Sequence, residues 1–350
     1  CLTERPPCAR TTFFWMRRTK GDRAWIMAPR HRVFIAFCFT FAAFCIAAWF
    51  LLPESGSWLE TDEFVWRAKT DHLARGFSAH TVILGDSQAM SGILPPAGVY
   101  NLALPSQQPE GVERMARDVG QVRGLRRVII NVSPFFLFKS EVLQSFLSYY
   151  RNTYDWSFAD LNPDLMTLSG KNTGDSVYRM IRFLPVLRLR DRMSPALASA
   201  DPISFVAGRK ETNLKIEKIL NDQRGFWVWK STDQTCNADI PPPPPMLLAY
   251  ADRPGAVESL ERSVQGLRAR GLEVFLVYIP LSDVWASLAL RGTDDRVIAV
   301  MRRMEKVGSV TLPIADRAQY KGLFRDWTHL NRCGAEKFTS WLFSQSLLQN

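Results

Sequence analysis

The chain has 350 residues, 47% hydrophobic and 22% charged, with a formal net charge of +10. That length and balance suit a packed globular body and exclude a fibrous or disordered chain. Residues 1–32 hold eight Lys/Arg against two acids, so six of the ten net charges lie there and only four are spread over the rest. The body is mildly basic and lacks a stripe of interleaved basic and aromatic residues, so no nucleic-acid partner is expected.

The basic segment is followed by Val33–Leu52, twenty residues without a charge. At ~1.5 Å per residue they span about 30 Å, the thickness of a bilayer core. A cleaved signal peptide has a shorter apolar core and small residues at its cleavage site, whereas this run ends in Trp49, Phe50, Leu51 and Leu52. The expectation is an uncleaved transmembrane helix over 33–52. The positive charge then puts 1–32 in the cytoplasm and the chain from Pro53 onward outside it. Met27, just before Arg30 and Arg32, reads as a natural start, so residues 1–26 are expected to have no structural role.

Residues 53–78 read as an amphipathic helical stalk, with Phe64, Trp66, Leu73 and Phe77 set among charges. From residue 79 short apolar runs alternate with helical patterns. Strands are expected at 81–87, 99–106, 126–134, 272–280 and 309–316. Helices are expected at 109–125, 255–270, near 283–306 and at 334–349. This alternation predicts an α/β domain, 79–350, built on a parallel sheet covered on both faces. The pattern breaks over 135–250, which reads as a mostly helical insertion returning through the stiff Pro241–Pro245 run.

Of six cysteines, Cys1 and Cys8 lie in the leader and Cys38 and Cys45 in the apolar run, leaving Cys236 and Cys333 for the exported body. An oxidising compartment would permit a disulfide between them, though the spacing does not say whether they meet. No metal-ligand spacing is present, and neither metal nor cofactor is expected.

The chemistry lies in "ILGDSQA", which puts Ser87 where the first strand ends. Ligands of parallel sheets gather at the carboxyl ends of strands. A nucleophilic serine needs a base, a carboxylate to orient that base, and N–H donors for the oxyanion. Of four histidines, His31 lies at the membrane edge, His72 in the stalk and His80 ahead of the first strand. His329 remains, in "DWTHLN", with Asp326 three residues before it on the loop entering the last helix. Ser87, His329 and Asp326 are therefore the candidate catalytic residues.

These two blocks, with their order and context, resemble the SGNH or GDSL-type hydrolase superfamily at Gly85, Asp86, Ser87, Asp326 and His329. The resemblance covers residues 79–134 and 272–349 and implies a flavodoxin-like three-layer fold. "GDSQA", "NLAL", the anchor and the "DWTHLNRCGA" block are similar, more narrowly, to membrane-anchored bacterial members. Among these are periplasmic proteins that O-acetylate alginate and related exopolysaccharides, and D-alanine transfer proteins. What the resemblance implies is a single-pass protein of the bacterial inner membrane with its catalytic domain in the periplasm or outside. It would be a serine esterase or O-acetyltransferase modifying cell-surface polysaccharide. Its partners would be an acylated donor, a polysaccharide acceptor and a membrane-bound O-acyltransferase.

The family's oxyanion glycine has no counterpart in "NLALPSQQPEG", where Ser106 is the donor expected beside the N–H of Ser87. Its Gly-x-Asn-Asp block corresponds to "NVSP", where Asn131 is the candidate donor and Ser133 the alternative. These departures favour acyl transfer or slow esterase activity. Two other readings stand beside the enzyme: a non-catalytic scaffold or binding protein in a polysaccharide assembly, and a lipase or phospholipase.

Overall fold

A computed structural model of the chain describes residues 33–43, 61–105, 107–139, 201–228, 236, 251–253, 255–288 and 292–348. The chain separates into two compact units, 1–47 and 48–350. In the first, residues 33–43 form helix α1 with Phe34, Phe37 and Phe39 exposed and Phe37 stacked on Phe41. Among the described residues no helix is long and apolar enough to cross a membrane. The second half of the run expected to do so, 44–52, lies outside the described residues.

The second unit is built on five parallel strands: β1 (Thr81–Leu84), β2 (Val99–Asn101), β3 (Arg127–Asn131), β6 (Glu273–Val277) and β7 (Val310–Thr311). Their order is β2-β1-β3-β6-β7. β1 and β3 pair in register from Thr81 with Arg127 to Leu84 with Ile130, and β3 pairs with β6 from Arg127 with Glu273 to Asn131 with Val277. The α/β character and parallel sheet expected from the alternating pattern are therefore present. The strands are shorter than the apolar runs that announced them.

Side chains alternate across the sheet. Val82, Leu84, Val128, Ile130, Val274 and Leu276 enter one apolar core, and Ile83, Ile129, Phe275 and Val277 enter the other. The first core is closed by α4 (Pro109–Asp118), α7 (Ala256–Arg268) and α9 (Thr293–Glu305), through residues such as Val112, Leu260 and Met301. The second is closed by α3 (Ser87–Gly92), α6 (Pro202–Asp222) and α10 (Arg332–Phe343), through Met90, Ile216, Phe338 and Leu342. Each fully buried aliphatic or aromatic side chain is worth about 1.5–3 kcal/mol. This two-faced burial is why the strands read as continuous apolar runs.

The segment expected as a stalk contains α2 (Thr61–Arg75), which is packed into the domain. Trp66 and Leu73 enter the first core and Val65 the second. The helix expected near 283–306 is two helices, α8 (Asp283–Leu288) and α9, and Gly292 opens α9 in a left-handed conformation (φ 85°). A short antiparallel ribbon, β4 (Phe138–Lys139) with β5 (Ala251–Asp252), was not foreseen. It follows the short helix α5 (Pro134–Leu137). Most of the insertion, including Pro241–Pro245, lies outside the described residues. Cys236 and Cys333 are joined in a disulfide, with Cα atoms 5.3 Å apart.

Candidate active site

The chain leaves β1 for β2 on one side of the sheet and returns to β3 on the other. Between the carboxyl ends of β1 and β3 the connections diverge, and in open parallel sheets that is the place where ligands gather. Ser87 stands there as the first residue of α3. Gly85, just before it, has φ 142°, and a Cβ at that position would lie 2.9 Å from the Asn131 Cβ. Only glycine lets β1 turn this sharply against β3.

Asp86 caps α3. It is almost fully buried, and its carboxylate collects three donors: Gln88 N–H at 3.0 Å, the Asn131 amide at 3.1 Å and the Ser133 hydroxyl at 2.5 Å. Burial raises its pKa, and these donors together with the nearby His329 ring oppose the rise without reversing it. Asn101, at the end of β2, closes the other end of α3: its amide donates to Ala89 O at 2.8 Å and Ile93 O at 2.9 Å. The helix carrying Ser87 is thus held at its start from β3 and at its end from β2.

The second half of the site is a turn between β7 and α10. Phe324 and Leu330 bridge in antiparallel fashion, and Arg325 N–H donates to His329 O at 3.0 Å. Inside this turn Asp326 Oδ1 accepts from the N–H groups of Thr328 and His329, both at 2.8 Å, and from the Thr328 hydroxyl at 3.0 Å. Asp326 Oδ2 lies 2.9 Å from His329 Nδ1 and 3.2 Å from Arg325 Nε. Burial works to raise the Asp326 carboxyl. The His329 ring, the Arg325 guanidinium and the N–H donors outweigh it and hold the group well below the usual carboxylate range. Ser282 fastens the turn to the end of β6 by donating N–H and hydroxyl to Trp327 O. Asn331 caps α10 by accepting from Gly334 N–H and also donates to Cys236 O. Gly334 serves a close approach inside α10, where a Cβ would lie 2.3 Å from Leu323 O.

The two halves meet at 2.9 Å, the distance from His329 Nε2 to Ser87 Oγ. With Nδ1–H donating to the carboxylate, the hydrogen-bond network assigns Nε2 as the acceptor of the serine proton. Ser87, His329 and Asp326 are thus brought together in one hydrogen-bonded chain, from hydroxyl to imidazole to carboxylate.

The expected oxyanion donors fare differently. Ser106 lies outside the described residues. Asn131 is fully buried at the end of β3, and its amide nitrogen is bonded to Asp86 rather than standing free beside Ser87. A carboxylate at position 86 draws in any donor its neighbours offer, and strand alternation alone did not reveal that. Ser133, the alternative, also bonds Asp86 and caps α5. Sequence reasoning missed Asn101 and Ser282. The only signal for either was a polar residue at the end of a strand-like run. Among the described residues no cluster of His, Cys, Asp or Glu could hold a metal ion.

No known family model matches the chain, and no curated protein is significantly similar to it in sequence.

Proposed function

We propose that the protein is a serine acyl-ester enzyme of the SGNH type, with a flavodoxin-like sheet. The observation that carries this is the Ser87–His329–Asp326 chain of hydrogen bonds at the carboxyl edge of a parallel sheet. Ser87 Oγ attacks an ester carbonyl while His329 Nε2 takes its proton. The tetrahedral intermediate collapses as His329 returns that proton to the leaving alcohol, and the acyl group stays on Ser87. A sugar hydroxyl, or water, then attacks with His329 again as base, and Ser87 is released. A positioned base contributes roughly 10²–10⁴-fold, and each oxyanion donor a comparable factor.

The proposed donors are the N–H groups of Ser87 and Ser106. The N–H groups of Leu102, Ala103, Leu104 and Gln107 are already bonded within the domain, and Pro105 has none. Asn131 keeps one amide hydrogen beyond its bond to Asp86.

Within this class the proposed activity is O-acetyl transfer to, or deacylation of, cell-surface polysaccharide by a domain held outside the cytoplasm on a membrane anchor at 33–52. The Cys236–Cys333 disulfide supports an oxidising compartment. A membrane-bound O-acyltransferase is the proposed source of acyl groups. The engagement of Asn131 by Asp86 favours one competing reading, a scaffold that keeps the fold of an esterase without its turnover.

The test is a fluorophosphonate treatment of the full chain in detergent, with the adduct located by peptide mass. An adduct on Ser87 that disappears in His329→Ala supports the enzyme, and acetylated sugars can then be screened as donors and acceptors. A folded chain that takes no adduct supports the scaffold.

A further inference from the structure

Lys69 is fully buried in α2, and burial pushes its ammonium well below the usual lysine value. Among the described residues no carboxylate pairs with it; its Nζ donates to Ala103 O at 2.5 Å. One turn earlier on the same helix, the Trp66 indole N–H donates to Pro105 O at 3.0 Å. Residues at i and i+3 share a helix face, so both donors reach the same strip of backbone.

That strip, Leu102–Pro105, continues β2 past its last paired residue. Its other edge is bonded to the nucleophile's own strand: Leu102 N–H donates to Ile83 O at 2.9 Å and Leu104 N–H to Gly85 O at 3.0 Å. Alternate backbone groups therefore point in opposite directions. The N–H groups of 102 and 104 reach toward β1, and the carbonyls of 103 and 105 reach toward α2. Leu104 grips the residue two positions before Ser87. A buried amine that serves a single carbonyl costs stability compared with a methionine of similar length. Such a choice is intelligible where geometry matters more than stability.

We propose that Lys69 and Trp66 are positioning residues for acyl transfer at Ser87: together they clamp the Leu102–Pro105 strip, and through the Leu104–Gly85 hydrogen bond they fix the turn that presents the nucleophile. This rests on the serine-enzyme reading. It gives α2, the helix that joins the catalytic domain to the preceding segment, a part in catalysis. Neither side chain touches substrate. Their effect reaches Ser87 through two backbone hydrogen bonds, and a displacement of about 1 Å at a reacting group can cost ~10²-fold in rate.

The experiment compares the full chain with Lys69→Met and Trp66→Phe. Two quantities are read: the rate of fluorophosphonate adduct formation on Ser87, and amide hydrogen exchange of the peptide covering 102–107. The expected result is adduct formation roughly ten- to a hundredfold slower in Lys69→Met and about threefold to tenfold slower in Trp66→Phe. Exchange in the strip should be faster in both. With a soluble ester the loss should fall on kcat, with KM held within about twofold, because neither side chain is proposed to touch substrate. Faster exchange with unchanged adduct rates would make the clamp merely structural and overturn the proposal, as would unchanged exchange. A wild-type chain that takes no adduct sinks the serine-enzyme reading itself. A reactive wild type with equally reactive variants sinks only the clamp. Trp66→Phe keeps the ring bulk and loses one N–H, so it carries the test if Lys69→Met does not fold.

Discussion

Ser87 and His329 lie 242 positions apart in the chain and 2.9 Å apart in the fold, and they are held there by different means. The proposed nucleophile, Ser87, follows the end of a central strand buried on both faces, with Gly85 pressed against β3 and Asp86 gathering three donors. The proposed base, His329, sits beyond β7, a two-residue strand at the sheet's edge, on a turn that takes most of its shape from one side chain, Asp326. One half borrows rigidity from the core. The other makes its own and is fastened at its middle by Ser282, through Trp327 O, and at its far end by the Asn331–Cys236 contact. Substitutions in the base half should therefore separate activity from stability, and substitutions around the nucleophile should not.

The largest effect is expected at Asp326→Asn. The remaining side-chain oxygen can still accept the turn's N–H donors, so the turn survives. The new amide offers N–H where His329 Nδ1–H pointed, and the ring must take the other tautomer, with Nε2 carrying a proton it cannot exchange for that of Ser87. Turnover and adduct formation should fall by roughly 10⁴-fold, with Tm shifted by no more than a few degrees. A collapse of Tm in step with activity would show that the turn is no more self-sufficient than the nucleophile's strand.

The disulfide comes next. Cys333 lies four residues after His329, and its bridge to Cys236 closes 97 residues of chain. Replacing both cysteines by serine, or reducing them, should cost about 2–4 kcal/mol, read as a lower midpoint in urea. Adduct formation at temperatures well below the transition should change much less, because the Asp326 turn keeps its own hydrogen bonds. Loss of adduct without loss of stability would make the bridge part of the site.

Gly85→Ala tests the other half. The left-handed backbone and the 2.9 Å approach to Asn131 should together cost about 2 kcal/mol, and the displaced Ser87 should label more slowly in the same variant. A variant that is destabilised yet fully reactive would break the link between core and nucleophile.

The same contrast explains what could be read from residue order. The strands around the site announced themselves because burial on both faces leaves near-continuous runs such as Val128–Asn131 and Val274–Val277. The Ser-His-Asp set was legible because so few histidines were available and because strand order fixes which edge they share. Bonds made at right angles to the chain left no such trace. Asn131 reads as a candidate oxyanion donor, and nothing in the residue order shows that the Asp86 carboxylate engages its amide. The supposed stalk looked amphipathic because its apolar face lies on the domain, and nothing in the pattern of Val65, Trp66, Lys69 and Leu73 says what that face covers. Lys69, a charged residue by type, is among the most buried side chains of the unit.

Asp86 supplies the smallest and sharpest test, because it ties the nucleophile's turn to the core through a group that titrates. Burial, the largest influence, raises its pKa above the ordinary aspartate value of about 3.9. Near and above that value the native state therefore holds a proton that the unfolded state has released. The group's contribution to stability is complete below the unfolded pKa and is lost as pH rises through the folded one. Asp86→Asn removes this titration and little else. One oxygen still accepts from Gln88 N–H and the Asn131 amide, and the new amide can donate to a Ser133 hydroxyl that turns round to accept. Urea unfolding from pH 4 to pH 7 should therefore show wild type losing stability relative to Asp86→Asn as pH rises. Parallel curves would mean that the Ser133, Gln88 and Asn131 donors fully offset burial, leaving the nucleophile's turn anchored by an ordinary ionised cap.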